Sequence, residues 1–227
     1  MKAIRNPRMA GRAVHALTVQ KAWRYLRAYW FDKKNHINTR SNVTRSLLDP
    51  INIHSLLHST YYQPVPLSYL ETLFSNLDEP PDTCFVDIGC GKGLACFYAA
   101  QRFKRVVGID FSEKLIEQAR QNNKSFVNSN GSSISFELRD ARIYRLPEMA
   151  SIVYLYNPFD HHILRDFLRA NINHFVKHQS RIAYINDVCR DVLLEFGFQQ
   201  DYRNPLDGIG IYSMSQRKGV RNVAPVA

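Results

Sequence analysis

A chain of 227 residues is long enough for one α/β domain with an appendage and short for two full domains. Hydrophobic residues at 45% and charged residues at 22%, with 10 Gly and 10 Pro, exclude collagen-like, disordered and low-complexity classes. The formal charge of +10 is uneven: eleven of the 30 Lys and Arg but one of the 20 acids, Asp32, fall in residues 1–48, which leaves 19 of each for residues 49–227.

The first segment in chain order is therefore a basic arm. Val14, Thr18, Ala22, Tyr25 and Tyr29 recur at helical spacing, with Lys21, Arg24 and Arg27 opposite, which predicts an amphipathic basic helix. Three readings stay open for it: a helix packed on the main domain with solvated charges, an arm that attracts a nucleic acid or an acidic partner, or an organelle-targeting segment. No apolar run approaches the ~18 residues needed to cross a bilayer. Nor is there a continuous apolar export segment, so the expected location is the cytoplasm. Cys84, Cys90, Cys96 and Cys189 lack disulfide-scaffold or zinc spacing and read as reduced thiols, with no metal site expected.

Residues 35–66, rich in Asn, His, Ser and Thr and ending in Tyr61, Tyr62, Pro64 and Pro66, read as a lid with one short helix near 50–58. Residues 67–77 place Leu67, Leu70, Leu73, Phe74 and Leu77 on one helical face, and DEPPD at 78–82 stops the helix. The chain thus divides into a basic helix and lid, 1–66, and a core domain, 67–227. Apolar strands follow at 84–88, 105–109, 134–138, 151–156 and 181–186, with helices near 94–102, 112–126 and 161–177. Such alternation predicts a mostly parallel sheet covered on both faces, a Rossmann-like three-layer α/β/α sandwich. After a helix near 188–196, strands at about 198–203 and 209–215 are too close for a crossover and form an antiparallel pair.

The chemistry concentrates where the first core strand enters a glycine turn, Phe85-Val86-Asp87-Ile88-Gly89-Cys90-Gly91-Lys92-Gly93. Ligands of open α/β sheets bind at the carboxyl ends of strands. Gly89, Gly91 and Gly93 allow the backbone to turn and approach a ligand closely, and Cys90 is a small side chain beside it. Asp87 separates the candidate ligands, because a carboxylate there repels a pyrophosphate and attracts an amine or sulfonium. The GxGxG spacing also puts Leu94 where a dinucleotide fingerprint has its third glycine, which disfavours a nicotinamide oxidoreductase. Asp110 closes the second strand, where a carboxylate can accept hydrogen bonds from both hydroxyls of a ribose, and Asp140 follows the third.

DIGCGKG at 87–93, GID at 108–110 and RDA at 139–141 resemble the successive cofactor motifs of the class I S-adenosylmethionine-dependent methyltransferases, over roughly residues 67–215. The resemblance implies a seven-stranded sheet ending in a reversed hairpin and S-adenosylmethionine as cofactor. It further implies Asp87, Gly89, Gly91 and Gly93 around the methionine moiety, Asp110 on the ribose, Phe111 against the adenine face, and Asp140 with Ala141 at the adenine edge. Lys92 has two readings, contact with the ligand's carboxylate or exposure to solvent.

The fourth strand runs into Asn157-Pro158-Phe159-Asp160. This resembles the Asn/Asp-Pro-Pro-Tyr/Phe motif of amino-group methyltransferases, in which the Asn oxygen and a proline carbonyl accept hydrogen bonds from the target nitrogen and the ring stacks on a planar substrate. Only one proline separates Asn157 from Phe159, so the register of the acceptor carbonyl and the ring departs from that pattern. The other reading makes Asn157-Pro158 a strand terminus and Asp160 a helix cap. His161 and His162 are either bases at neutral pH or helix-start residues. The expected activity is methyl transfer to an acceptor the sequence does not name, among them an amino group on a protein or RNA. The alternative is a non-catalytic cofactor-binding scaffold that holds RNA or a partner through its basic arm.

Overall fold

The computed structural model describes residues 23, 26–40, 63–80, 82–156 and 158–214. Residues 14–22, Arg24, Tyr25, the short helix expected near 50–58, Tyr61, Tyr62 and Asn157 lie outside the described residues. Helix α1, residues 26–35, precedes α2 (Leu67–Ser75), and the core then alternates. Its elements are β1 (Cys84–Ile88), α3 (Leu94–Ala99), β2 (Arg105–Asp110), α4 (Glu113–Ser125), β3 (Ser133–Leu138), β4 (Ser151–Tyr156), α5 (His161–His178), β5 (Arg181–Ile185), α6 (Arg190–Glu195), β6 (Phe198–Asn204) and β7 (Ile209–Met214).

The seven strands lie in the order β3-β2-β1-β4-β5-β7-β6. β1 to β5 are mutually parallel, whereas β7 runs antiparallel to both β5 and β6. The order reverses beside β1, which has β2 on one side and β4 on the other. A crevice opens at such a switch point above the carboxyl ends of the strands. The expected Rossmann-like sandwich with its antiparallel terminal hairpin is the observed architecture.

Every residue of β1 is buried, because a central parallel strand is covered on both faces and needs an apolar run instead of an alternating one. Phe85 faces a core with Leu70, Leu73, Phe97, Phe103 and Tyr154 under α2, α3 and α4. Val86 and Ile88 face the other core, with Phe167, Leu168, Phe175 and Leu193 from α5 and α6. α4 starts at Ser112, whose hydroxyl accepts the Leu115 N–H at 3.4 Å, and α5 starts at Asp160, whose carboxylate accepts from the His162 N–H at 2.9 Å. Ile37, just after α1, is buried in the first core, and the Asn38 N–H donates to Asn122 Oδ1 of α4 at 3.0 Å. No helix among the described residues is long and apolar enough to cross a membrane.

Candidate functional site

The turn after β1 is built by left-handed glycines: Gly89, Gly91 and Gly93 have φ of 82°, 53° and 90°. Two of them also sit where a side chain would collide. A Cβ on Gly89 would lie 2.5 Å from the Pro158 Cβ, and one on Gly93 would lie 2.7 Å from the Phe136 ring. The glycine loop is thereby pressed against Pro158, two residues beyond β4, and the ends of β1 and β4 form one floor.

β2 locks the loop from the other side. Gly89 and Cys90 donate their N–H groups to the Ile109 carbonyl at 2.8 and 2.9 Å, and the Gly91 N–H donates to Asp110 Oδ2 at 2.9 Å. The other carboxylate oxygen of Asp110 accepts the Ser112 N–H at 2.9 Å. These bonds hold Asp110 in place and leave lone pairs on both oxygens for further donors.

Above this floor is a pocket that is open to solvent on one side. Asp87, Gly89, Cys90, Asp110, Phe111, Asp140, Ala141, Pro158 and Phe159 all line it. Residues expected from separate motifs therefore converge on one cavity. Gly91 and Gly93 shape the loop beneath and do not line the pocket. Asn157 lies outside the described residues, so its expected role is carried below as a proposal.

The electrostatics of the pocket are unusual. Asp87 and Asp110 are both buried, and no Lys, Arg or His among the described residues forms an ion pair with either. Burial pushes the Asp87 carboxyl up to about 8; a hydrogen bond from Cys96 (Sγ to Oδ2, 3.5 Å) opposes this and the Asp110 charge adds to it. Burial likewise raises Asp110 to about 6, against the N–H groups of Ser112, Gly91 and Phe111. Cys90 is pushed up to about 11 by burial, so it packs as a neutral thiol. Two buried acids without a protein counter-ion are costly unless a cation arrives with the ligand.

Asp140 is different. Its carboxylate is gripped by Arg142, with Nε at 3.1 Å from both oxygens and an Nη at 2.5 Å from Oδ2, so it meets the pocket as half of an ion pair. Lys92 is buried, which is neither of its sequence readings: it does not line the pocket, burial lowers its pKa, and the Asp32 charge raises it. His161 and His162 are exposed at the start of α5, with ring centroids 4.0 Å apart, outside the pocket lining.

Sequence reasoning missed several lining residues. Gln63, Pro64 and Val65 reach the pocket from the end of the lid segment, and Tyr154 and Tyr156 reach it from β4. Tyr154 pairs in register with Asp87, and residues in register on parallel strands share a face, a pairing the sequence alone does not give. The Tyr154 hydroxyl is buried without a hydrogen-bond partner, a polar group that a ligand would satisfy. Among the described residues no group of three or more His, Cys, Asp or Glu could hold a metal ion.

Residues 85–179 match the family model described as a methyltransferase domain. Residues 85–179 thus carry a methyltransferase domain, set in the sheet order described above, and S-adenosylmethionine is the cofactor of the class I S-adenosylmethionine-dependent methyltransferases. No curated protein sequence matches the chain. Among solved structures it is similar to a predicted N6-adenine-specific DNA methylase from Listeria monocytogenes, at 15% identity and a TM-score of 0.51, over 67% of this chain and 51% of that one. It is also similar to TrmN from Thermus thermophilus, at 19% identity and a TM-score of 0.48, over 64% of this chain and 48% of that one. A third is the ribosomal protein L11 methylase of Lactobacillus delbrueckii subsp. bulgaricus, at 17% identity and a TM-score of 0.45, over 65% of this chain and 77% of that one. At these identities the likeness to the Listeria protein concerns the fold.

The residues present fit this cofactor. A sulfonium and an ammonium supply the positive charge that Asp87 lacks, ribose hydroxyls supply donors to the open lone pairs of Asp110, and the apolar walls Leu94, Ile109, Phe111 and Leu115 suit a purine and a thioether.

Proposed function

We propose that this protein methylates an amino group on a macromolecule, a protein or an RNA, using the site above the β1 and β4 ends. The observation that carries the reading is that Pro158 and Phe159 line the same pocket as Asp87 and Asp110. When bound, S-adenosylmethionine supplies a methyl carbon already activated toward an in-line nucleophile. The protein's task is then to align the acceptor and exclude water.

In this reading the Asn157 side-chain oxygen and the Pro158 carbonyl accept hydrogen bonds from the acceptor N–H groups, which keeps the nitrogen lone pair aimed at the methyl. Phe159, buried, supports a planar group. Asp87, Asp110, Gly89 and Cys90 hold the methionine and ribose portions, while Phe111, Asp140 and Ala141 border the adenine. Residues 1–66 serve as a basic helix and lid on a transferase domain of residues 67–227, and the excess positive charge of the arm favours an acidic macromolecular acceptor.

The test is incubation of the full chain and radiolabelled cofactor with cell fractions pretreated by protease or ribonuclease. Label in a fraction sensitive to one treatment names the acceptor class, and Asn157→Ala is expected to lower transfer about 100-fold with near-normal cofactor affinity. Cofactor binding with no transfer to any fraction favours the scaffold alternative. Equal transfer by wild type and Asn157→Ala removes the amino-group reading.

A further inference from the structure

Helix α1 is oriented against the usual sense of an amphipathic helix. Its inner side carries polar groups: Asp32 is 2% exposed and accepts from both the Thr39 N–H and the Thr39 hydroxyl at 2.8 Å, with Arg40 Nε at 3.4 Å. Asn35 is buried beside it and donates to the Phe31 carbonyl at 2.8 Å. The outer side carries Leu26 and Trp30, exposed by 45% and 62%, and Trp23, helical just ahead of α1, is exposed by 63%. The chain has two tryptophans, and both stand on this face.

At about 100° per residue, Trp23, Leu26 and Trp30 fall within an arc of roughly 60° that no charged residue interrupts. Cations border the arc. Lys33 lies beyond Leu26 on one side, and Lys34 and Arg27 lie beyond Trp23 on the other, all exposed, with Arg27 paired to Glu71 of α2. The only acid of residues 1–48 is the inward Asp32, so the outer face of α1 presents no carboxylate of its own. The platform is anchored: Phe31 packs against Tyr98 with ring centroids 6.0 Å apart, and Ile37 and Asn38 fix the segment after the helix to the core.

From this arrangement we propose that the outer face of α1 is a docking surface for an anionic phospholipid bilayer, on which the helix lies in the plane of the interface. An unbroken apolar stripe between two cationic edges matches a flat lipid surface, where three apolar groups enter together and the Lys and Arg stems reach sideways to the headgroups. A nucleic-acid strand is matched less well. It rewards rings interleaved with cations along a phosphate track, and Leu26 offers no ring to stack on. Exposed tryptophan also prefers the headgroup region, where an apolar ring and a polar N–H are both accommodated. The proposal is independent of the methyl acceptor and of the cofactor site.

Because both tryptophans report from this face, the fluorescence of the full chain tests it directly. Vesicles of about one-third phosphatidylglycerol in phosphatidylcholine are expected to shift the emission to shorter wavelength and to float the protein, with the effect lost in high salt. Lys33→Glu combined with Lys34→Glu keeps both reporters and is expected to weaken vesicle affinity about tenfold or more. Trp23→Ser with Trp30→Ser is expected to abolish flotation, with S-adenosylmethionine binding by calorimetry unchanged, which shows the variant is folded. No flotation of the wild type overturns the proposal, as does flotation that survives the double Trp variant. Quenching by poly-uridylate RNA without any shift on vesicles replaces the lipid with a strand, and a shift that depends on protein concentration alone replaces it with a second copy of the chain.

Discussion

Asp87 links the sequence to the binding chemistry most directly. Burial holds its carboxyl near a pKa of about 8 in the free protein, so at neutral pH it is mostly protonated, and a cationic ligand must draw the proton off. Affinity for S-adenosylmethionine is therefore expected to rise about tenfold from pH 6 to pH 7, a window in which an α-amine stays charged. Calorimetry of wild type and Asp87→Asn checks this: the variant binds more weakly at pH 7, and its affinity changes only about twofold across the window, the part left to Asp110. The effect on the free protein has the opposite sense. A carboxyl whose folded pKa lies above its unfolded value stabilises the fold at low pH, and that contribution is lost as pH rises toward 8. Gly89 sets a second residue-scale expectation. Alanine there has to adopt a φ near +82° with its Cβ against Pro158, so Gly89→Ala costs about 1–2 kcal/mol for the backbone alone and more for the contact. Thermal denaturation should show the loss, and cofactor affinity should fall with it because Pro158 and Phe159 are displaced. Retention of wild-type affinity would show that the two loops are not mechanically coupled.

Elements were legible wherever one periodicity ruled. The five parallel strands and the helices between them stand at the expected places because apolar runs bounded by Gly, Pro or Asp leave few alternatives, and NPLDGI left no room for a crossover between β6 and β7. The motif residues were legible for the same reason, as each sits at the carboxyl end of a strand whose position was clear. Lys92 and the outer face of α1 were not. A lysine in a glycine loop gives no sign that it will be buried within the field of Asp32, an acid 60 residues earlier. The helical spacing singled out the face of Val14, Thr18, Ala22, Tyr25 and Tyr29 and passed over Trp23, Leu26 and Trp30, the large apolar residues that stand exposed. Tyr154 and Tyr156 were hidden because a strand's apolar run records burial and not which side chain overlooks the ligand.

The contact between α5 and the starts of β4 and β5 carries a prediction at the same scale. His174 Nε2 lies 2.9 Å from the Ser180 hydroxyl, which accepts the Ser151 N–H at 2.9 Å, and His174 Nδ1 is buried without a partner. Burial, reinforced by His178, lowers His174 to about 4. A histidine with a depressed folded pKa supports the fold above about pH 6.5, and that support is lost as pH falls toward 4. His174→Gln keeps a hydrogen-bonding side chain with no proton to gain in this range. The acid limb of its stability curve, read from urea midpoints between pH 6.5 and 4, should be shallower than that of the wild type. An identical slope would assign the acid sensitivity of this corner to other groups.

For the whole molecule the consequence comes from where the pocket stands. Its walls draw on Val65 from the segment before α2, Leu94 and Ala95 from the first core, Ile109 and Phe159 from the second, and Ile163 at the start of α5. A ligand there touches both layers that cover the sheet, so its binding energy is coupled to global unfolding. Ligand at about 100 times its dissociation constant stabilises a two-state fold by about 2.7 kcal/mol, which for a chain of this size is a rise in Tm of about 5–10 °C. Saturating S-adenosylmethionine is accordingly expected to move the entire thermal transition as one step, and NADH to leave it in place, since a pyrophosphate brings no cation to draw the proton off Asp87 and gains no charge pair there. Asp87→Asn should reduce the shift with S-adenosylmethionine to a small fraction of the wild-type value at pH 7. If NADH stabilised the wild type as much as S-adenosylmethionine does, the electrostatic account of the pocket would fail. If S-adenosylmethionine produced a partial transition with one layer melting at its original temperature, the coupling of the two layers through the pocket would fail instead.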